Sequence, residues 1–321
     1  MTTQALEPVA LLPTALIPAL LSDTPSVAPS EPLSNVPLSS VTLSKAKAGL
    51  DWFGMIPFLL SHLVVFAAFW TGVTWQSVVL CIVLYVARIF GVTAGYHRYF
   101  AHRTYETGRV MQFLLAFLAQ TSAQRGVMWW AAHHRYHHLH SDDPTDRHSP
   151  TQQGFWESHM GWIFRKDVDA TDFARVRDLG HNPEIAWLDR HWLVPPILLA
   201  VACLAFFGWS GLLIGFFLST CLTWHGTYTI NSLSHVFGRR RFETKDTSRN
   251  NALLALITLG EGWHNNHHHY MNAARCGFYP HEIDLTYIAL CGLEKLGLVW
   301  GMKKVPARIL AEGRARDAAL V

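Results

Sequence analysis

The chain is short of cysteine, of charged residues and of basic runs. Its five cysteines, Cys81, Cys203, Cys221, Cys276 and Cys291, include no Cys-x-x-Cys pair. That spacing disfavours a disulfide framework, a zinc knuckle and an iron–sulfur cluster held by the chain itself. Charged residues make up 15% of the chain, the formal net charge is only +3, and no basic run alternates with aromatic residues. We therefore expect no nucleic-acid partner.

Apolar residues are abundant instead. Half of the chain is hydrophobic and the mean hydropathy is +0.15, which favours a membrane protein. Four apolar stretches form two pairs, and each stretch approaches the length that crosses a bilayer. The second pair is joined by the tight turn Gly208-Trp209-Ser210. Arg88 is the one charge inside the second stretch, and near the end of that stretch a long side chain can reach the polar interface. The predicted spans cover residues 52–71, 76–95, 192–207 and 211–228.

The distribution of basic residues predicts the orientation of these spans. Neither hairpin turn contains Lys or Arg, whereas Lys45, Lys47, the segment 96–191 and the C-terminal third do. By the positive-inside rule, both termini and every polar segment lie in the cytoplasm. The start of the chain is rich in Pro and Ser and lacks periodicity, which indicates disorder. The predicted segments are a disordered N-terminal tail at 1–49, a membrane domain at 50–305 and a C-terminal tail at 306–321.

Histidine occurs nineteen times and recurs in clusters. In His134-Arg135-Tyr136-His137-His138, the 100° turn per helical residue places all three histidines on one narrow face. The same spacing returns in His264-Asn265-Asn266-His267-His268. Imidazoles crowded on one face resist protonation, and their ring nitrogens are ready metal ligands. The two clusters therefore predict a metal centre.

Two further pairs complete the pattern. His97 and His102 are five residues apart, about 140° on an α-helix, so we expect them not to share a face. His97 should end the second span and His102 should lie beyond a turn. Asn231 and His235 are four residues apart and do share a helix face, which suits a ligand beside a polar group that holds a water. Nine nitrogens are enough for two metal ions. The expected metal ligands are His97, His102, His134, His137, His138, His235, His264, His267 and His268.

The ligand type narrows the choice of metal without naming it. Imidazole binds zinc, copper, iron and nickel. Structural zinc sites use four ligands and usually include cysteine, so nine histidines without a nearby cysteine or carboxylate ligand favour a redox-active centre. The other histidines are interpreted as non-ligands: His133, His140 and His269 point off the ligand faces, His62 and His225 are buried and satisfied, and His148, His159, His181, His191 and His281 lack ligand spacing.

Four segments resemble the histidine boxes of the membrane fatty-acyl desaturases, most closely the acyl-CoA Δ9 (stearoyl-CoA) branch as bacteria carry it. The segment Gly154-Phe155-Trp156-Glu157-Ser158-His159-Met160-Gly161-Trp162 is also similar to the stretch that follows the second box in that family. The resemblance covers about residues 52–305, in the family's order and spacing. The four segments are Gly95-Tyr96-His97-Arg98-Tyr99-Phe100-Ala101-His102-Arg103, His134-Arg135-Tyr136-His137-His138, Asn231-Ser232-Leu233-Ser234-His235 and Gly260-Glu261-Gly262-Trp263-His264-Asn265-Asn266-His267-His268.

The resemblance implies an all-α integral membrane protein with four spans in two hairpins under a helical cytoplasmic cap. It implies two Fe2+ ions as the cofactor, and a reaction in which O2 and two electrons remove two hydrogens from a saturated acyl chain. The product would carry a cis double bond, at the ninth carbon for this branch. By the same resemblance, Asn231 holds a water on one iron, while Gln124 and Trp130 line the tunnel of the acyl chain. The implied location is the bacterial inner membrane.

The acyl carrier and the electron donor are less defined. The acyl-CoA branch often has an Arg-Asp pair before the second box, where this chain has Ala132-His133. Arg165 and Lys166 could still meet a phosphate. An acyl-CoA thioester is the favoured substrate, with acyl carrier protein and intact membrane lipid as alternatives.

No heme or cluster motif is fused, so electrons should come from a separate ferredoxin, rubredoxin or cytochrome b5-like protein with its reductase. A di-iron hydroxylase or alkane monooxygenase would share the boxes, and a non-enzymatic metal carrier or sensor is a further alternative.

Tyr85 and Ile89 are predicted to close the far end of the tunnel. They are four residues apart and share a helix face, and they precede His97 by about 12–18 Å of helix. The bulk of Ile89 would favour a sixteen-carbon over an eighteen-carbon chain. The alternative is that both residues merely pack against a neighbouring span.

Overall fold

The computed structural model describes residues 49–319, which are mostly helical. The tail predicted for residues 1–49 lies outside the described residues except for Gly49. Residues 106–107 and 299–300 form a two-stranded antiparallel sheet, β1 with β2. The helices are α1 (Trp52–Thr71), α2 (Trp75–Ala101), α3 (Arg109–Gln120), α4 (Val127–His140), α5 (Pro150–Gln153), α6 (Phe155–His159), α7 (Pro183–Arg190), α8 (Val194–Ser210), α9 (Ser219–Asn231), α10 (Ala252–Ile257), α11 (His264–His269), α12 (Leu285–Lys295) and α13 (Ala307–Ala318). Short 3-10 turns cover Gly161–Phe164, Lys166–Val168, Phe173–Leu179 and Leu233–His235.

Among the described residues, three helical stretches are long and apolar enough to cross a membrane: α1, α2 and Val194–His235. The start of α2 is set by Thr74, whose side chain accepts a hydrogen bond from the backbone N–H of Ser77 at 3.2 Å, the usual helix-capping contact. α1 exposes large apolar side chains such as Leu63 and Phe69. Such a surface is costly in water and suits contact with lipid.

The third stretch is 42 residues long, which as a straight helix would be roughly 63 Å, about twice a bilayer core. It is not straight, because Gly208 has φ 63° and ψ −160°, a region that favours glycine. A Cβ on Gly211 would lie 2.6 Å from the carbonyl oxygen of Cys203, although eight residues of straight helix would separate them by about 12 Å. The chain therefore reverses at Gly208, within the turn that the sequence predicts, and continues as the π-helix Gly211–Leu218 into α9.

Arg88 does not reach the interface, so the prediction that it does is wrong. Its side chain is fully buried and donates hydrogen bonds to Thr220 Oγ1 at 2.5 Å and Ser219 Oγ at 2.7 Å. A buried cation is costly unless polar groups replace its hydration, and these hydroxyls do so. Arg88 thus ties α2 to the start of α9 instead of reaching the membrane surface.

The polar part of the chain packs around the end of α2. α3 lies against residues 91–101 and buries Leu115 and Ala119, while Val110 stays exposed. α10 and α12 leave apolar side chains exposed. The segment described from the sequence as a C-terminal tail contains α13, which packs Ile309 against Phe242.

Candidate metal centre

The nine predicted ligands come together in two groups of histidines. Within each group, one ring nitrogen of every residue lies within 4.8 Å of the others. The Nε2 atoms face one another closely, at 2.8 Å between His102 and His134 and 3.2 Å between His235 and His264. The five-histidine group comprises His97, His102, His134, His138 and His267, and the four-histidine group comprises His137, His235, His264 and His268.

His97 and His102 do share a face, contrary to the sequence-based expectation. Residues 91–101 form a π-helix, in which the hydrogen bond runs from residue i+5 back to residue i. The His102 backbone N–H donates to the His97 carbonyl oxygen at 3.1 Å, and the two ring centroids are 4.8 Å apart. The expected angle of about 140° assumed an α-helix. The wider π turn brings a five-residue spacing onto one side, and such turns often mark functional sites.

Asn231 and His235 do not lie on one α-helix, so that part of the prediction is also wrong. α9 ends at Asn231, and His235 lies on the following 3-10 turn. His235 joins the four-histidine group, whereas Asn231 lies on the wall of a cavity. The prediction that Asn231 holds a water on a metal stays a prediction.

Carboxylates contact the outer nitrogens of four of the nine histidines. A carboxylate on Nδ1 keeps the proton there and leaves the Nε2 lone pair free for a metal. Sequence reasoning missed these residues, although Asp142 and Asp146 follow the second box directly and Glu261 stands three residues before His264. The four Nδ1 contacts are His97–Glu261 at 2.8 Å, His137–Asp146 at 3.1 Å, His235–Asp142 at 3.2 Å and His268–Asp246 at 2.8 Å.

Burial keeps most of these imidazoles neutral. The pKa of His268 is lowered to about 4, because burial outweighs the attraction of Asp246. His137 differs: burial alone would lower its pKa, but the charges of Asp146, Asp246 and Asp142 together outweigh burial and raise it. Neutral imidazole is the metal-binding form. Burial first and neighbouring histidines second hold the pKa well below 6.5 at His102, His134, His138, His264 and His267.

His148 lies next to the two histidine groups, although its sequence spacing gave no reason to expect it there. Its ring centroid is 4.3 Å from that of His137, and its Nδ1 is 3.7 Å from Asp146 Oδ1. His137, Asp146 and His148 form a third group of potential ligand atoms. Burial and then the neighbouring His137 lower the pKa of His148 to about 3. Ten residues separate it from the second box, so helical spacing could not have found it.

A cavity of about 680 Å³ adjoins the metal centre, which is the size of a small-molecule site. His134 of the five-histidine group lies on its wall together with Asn231. His133, interpreted from the sequence as a non-ligand, also lines it. Apolar side chains on the rest of the wall include Pro57, Phe58, Trp129, Ile163, Phe164, Leu193, Pro196, Ile197, Ala200, Phe216, Phe217 and Trp224.

The predicted substrate contacts divide between this wall and other places. Gln124 and Trp130 lie on the wall, and the Trp130 ring stacks on His134 at 4.9 Å. Tyr85 and Ile89 are not among the lining residues, since both face Gly226 of α9 and the Tyr85 hydroxyl donates to the Ile257 carbonyl at 2.6 Å. Both residues pack between helices, and their role at the end of the acyl tunnel stays a prediction.

Arg165 and Lys166 do not line the cavity either. Arg165 is paired with Glu157 through contacts of 2.6 Å and 2.8 Å, and Lys166 is exposed. Their role as phosphate contacts stays a prediction.

The histidines expected to be satisfied within the spans do have partners. His62 Nδ1 lies 2.8 Å from the Phe58 carbonyl oxygen, and its Nε2 lies 3.1 Å from His225. His225 in turn contacts His159 at 3.0 Å.

Comparison with known proteins adds an independent finding. The sequence profile described as fatty acid desaturase matches residues 73–277. The chain is 33% identical over 254 residues to the sn-2 palmitoyl-lipid 9-desaturase of Nostoc sp. (strain 36), which covers 78% of this chain and 89% of that protein. It is 34% identical over 277 residues to the hex-5-enoyl-[acyl-carrier protein] acetylenase of Moorena producens (strain JHB), covering 80% and 86%. It is 34% identical over 240 residues to the acyl-CoA C20 Delta5-desaturase of Anemone leveillei, covering 74% and 76%. The chain therefore belongs to the fatty acid desaturase family, whose members are oxidoreductases that make double bonds in fatty acids.

Proposed function

We propose that this chain is an O2-dependent desaturase that introduces a cis double bond at the ninth carbon of a saturated acyl chain, with two irons as its cofactor. The observation that carries this proposal is a pair of histidine groups beside an apolar cavity of acyl size. Because His134 belongs both to a histidine group and to the cavity wall, an acyl chain in the cavity would lie next to the metals. Relatives named as 9-desaturases support the position of the double bond.

The residues present fit a pair of metal ions. His235 and His268 each have a carboxylate at Nδ1, so their Nε2 lone pairs point into the four-histidine group. His268 Nε2 is buried and has no hydrogen-bond partner within the described residues. A buried lone pair without a partner is costly, and a cation between the imidazoles removes that cost. Irons bound in the two groups would activate O2 and supply the oxidising power that removes two hydrogens from the acyl chain.

The protein's own side chains prepare this chemistry. The carboxylates hold each ligand ring in one tautomer and orientation. Trp130 stacks on His134 and shields it from water at the cavity wall. Gln124 donates to Thr227 Oγ1 at 3.0 Å and so joins the chain before α4 to α9 at the cavity. Asn231, at the end of α9, would hold the water next to the four-histidine group.

For the acyl carrier, we favour a membrane lipid over the CoA thioester that the sequence suggests. Arg165 is already bound to Glu157, and Arg125 at the cavity is paired with Asp169 at 2.6 Å. A polyphosphate headgroup would have to displace these carboxylates, whereas a lipid-linked acyl chain could enter from the bilayer between the apolar helices. The names of the relatives include lipid, acyl carrier protein and CoA carriers at similar identity, so identity alone does not decide.

We further propose four membrane crossings, with both termini and the metal centre in the cytoplasm of a bacterial inner membrane. The reversal at Gly208 supports two crossings within the third apolar stretch. The polar elements would then form a cytoplasmic cap over the four spans, and electrons would reach the cap from a separate carrier protein.

Expression of the chain in a bacterium that lacks its own desaturase tests the proposal. We expect cis Δ9 monounsaturated fatty acids in the lipids, located by mass spectrometry of derivatised double bonds, and none from the His267→Ala variant. Hydroxylated products without double bonds would favour the hydroxylase alternative. An iron-loaded chain that makes neither product, in a host that supplies electrons, would overturn the proposal.

The carrier needs its own experiment. Membranes containing the protein are given either radiolabelled stearoyl-CoA or vesicles of phospholipid with labelled stearoyl chains, with lipid acyl transfer blocked. We expect the label to become unsaturated while still esterified to phospholipid. Faster conversion of stearoyl-CoA would contradict the lipid assignment and leave the desaturase assignment intact.

A further inference from the structure

We propose that the exposed face of α13, together with the segment before it, is the docking surface for an acidic one-electron carrier protein. This inference rests on the proposed function, because a desaturase of this kind needs electrons from outside. Removing two hydrogens from a saturated chain while one O2 becomes two waters consumes two electrons and two protons. Each reduced carrier gives up one electron and leaves oxidised, so two encounters complete one reaction.

The surface has an uncompensated positive charge. Residues 301–319 contain five basic and two acidic residues. Both acidic residues are engaged: Glu312 with Arg316 at 3.1 Å, and Asp317 with Arg241 at 3.0 Å. Four exposed cations remain without a side-chain partner among the described residues, namely Lys303, Lys304, Arg308 and Arg314. We call these four residues the α13 cation face.

The helix α13, which carries Arg308 and Arg314 of this face, lies on the side of α11 away from α2. His267 Nε2 lies 3.0 Å from His97 on α2, so one side of α11 contacts that span. His269 follows two residues later, about 200° around the helix, and its Nε2 lies 3.3 Å from Glu312 of α13. α2 and α13 therefore contact opposite sides of α11. A cationic surface on the far side from the spans favours a soluble partner over lipid headgroups.

The same contact makes the route to the metal centre short. His269 is the neighbour of His268, a member of the four-histidine group. The ring of Phe242 is stacked on His269 at 4.1 Å with an interplanar angle of 2°. Within the described residues, α13 contacts α11 directly through Glu312 and His269, and the Phe242 ring packs beside this contact. A carrier docked there would deliver its electron through a thin, packed layer of protein.

Charge complementarity also suits the kinetics of such a partner. A carrier that must bind reduced and leave oxidised needs fast, reversible docking. Opposite charges at an exposed rim raise the association rate and make it sensitive to salt, without requiring a large buried interface. Among the three carrier classes expected from the sequence, the partner is therefore a protein with an acidic surface.

The test uses the full chain in phosphatidylcholine nanodiscs. Three purified probes are used: a plant-type ferredoxin, a rubredoxin and a cytochrome b5. The dissociation constant of each probe is measured at low and high salt for the parent, for Arg308→Glu with Arg314→Glu, and for a matched control, Arg177→Glu with Lys295→Glu. The control residues are also exposed cations and lie off the face. We expect the face variant to bind at least one acidic probe about tenfold more weakly at low salt, with a flatter salt dependence, and the control to bind within about twofold of the parent.

Three outcomes would overturn the inference. The parent could bind none of the probes, or the face variant and the control could lose binding equally. The face variant could also keep its affinity for the probes and lose it for added phosphatidylglycerol vesicles, which would assign the cations to lipid. The proposed function fails separately, when the parent forms no unsaturated fatty acid even though a probe binds.

Discussion

Asp142→Asn separates the contribution of the carboxylates from that of the histidines. Asp142 Oδ2 contacts His235 Nδ1 at 3.2 Å and accepts hydrogen bonds from the backbone N–H and hydroxyl of Thr247 at 2.7 Å and 2.6 Å. Burial by itself raises the pKa of this carboxyl, but His235, Ser149 and Thr247 outweigh burial and hold the pKa far below its usual range. Asparagine keeps the size and removes the charge. His235 then loses the anionic acceptor that keeps its proton on Nδ1.

The expected loss can be estimated from the contacts. Replacing a partner of this kind typically weakens metal binding by about 10–100-fold, or roughly 1.4–2.7 kcal/mol. Of the nine predicted ligand histidines, Asp142 contacts only His235, which belongs to the four-histidine group. The five-histidine group has its own carboxylate, Glu261 at His97. Iron should therefore fall selectively, from two per chain toward one, instead of being lost from both groups.

The neighbouring residue provides a matched control. Asp143 contacts His140 Nδ1 at 2.8 Å, and His140 belongs to neither group. We measure iron per chain in the purified, reduced protein against increasing concentrations of a ferrous chelator. Asp142→Asn should release one iron at a chelator concentration about 10–100-fold lower than the parent does, while Asp143→Asn should follow the parent. Identical curves for Asp142→Asn and the parent, or an equal shift in both variants, would refute the reasoning.

Three further predictions concern ligands, topology and acid. His267→Ala should abolish turnover and lower bound iron, while His269→Ala should keep both, and full activity of His267→Ala would rule out its role as a ligand. A reporter after Val321 should be cytoplasmic and reporters at Gly72 and Trp209 periplasmic, so a periplasmic C-terminus would contradict the proposed orientation. The iron-free protein should lose stability as the pH falls below about 6.5. The histidines of the unfolded chain bind protons in that range, whereas the buried histidines of the folded chain, with their lowered pKa, stay neutral. A fall in pKa from 6.5 to about 4, as at His268, costs up to roughly 3 kcal/mol; an equal Tm at about pH 7 and about pH 5 would contradict this.

Local periodicity explains why the histidines could be found from the sequence. A ligand set on one helix repeats at three and four residues, and this spacing is visible in any window of sequence. The spacing predicts that His134, His137 and His138 lie on one helix, as do His264, His267 and His268, and each helix contributes histidines to both groups.

The features that the sequence did not predict correctly depend on backbone geometry or on contacts between residues far apart in the chain. The π-helix that aligns His97 with His102 has no strong sequence signal, so an α-helical angle gave the wrong answer. Arg88 appeared suited to reach the interface because its partners, Ser219 and Thr220, lie more than 130 residues away. The sequence-based position of Tyr85 used only its distance from His97 along one helix. In the structure, Tyr85 contacts Ile257 and Gly226 on other elements.

The two helices that carry the repeated histidine spacing, α4 and α11, each divide their three histidines between the two groups. In α4, the outer histidines His134 and His138 join the five-histidine group and the middle one joins the other. In α11 the division is reversed, with His264 and His268 in the four-histidine group and His267 in the first. Together, α4 and α11 thus contribute three histidines to each group. Two helices related by a pseudo-two-fold axis would divide their ligands in the same way.

The two groups differ in size because of the predicted ligands that lie outside α4 and α11. The end of α2 adds both His97 and His102 to one group, but the segment after α9 adds only His235 to the other. The other polar residue of that predicted pair, Asn231, ends α9 and lies on the cavity wall. An amide cannot replace imidazole as a strong ligand, but it can hold a water by hydrogen bonds. We propose that Asn231 holds a water in this way, which would leave the four-histidine group one position for an exchangeable small molecule.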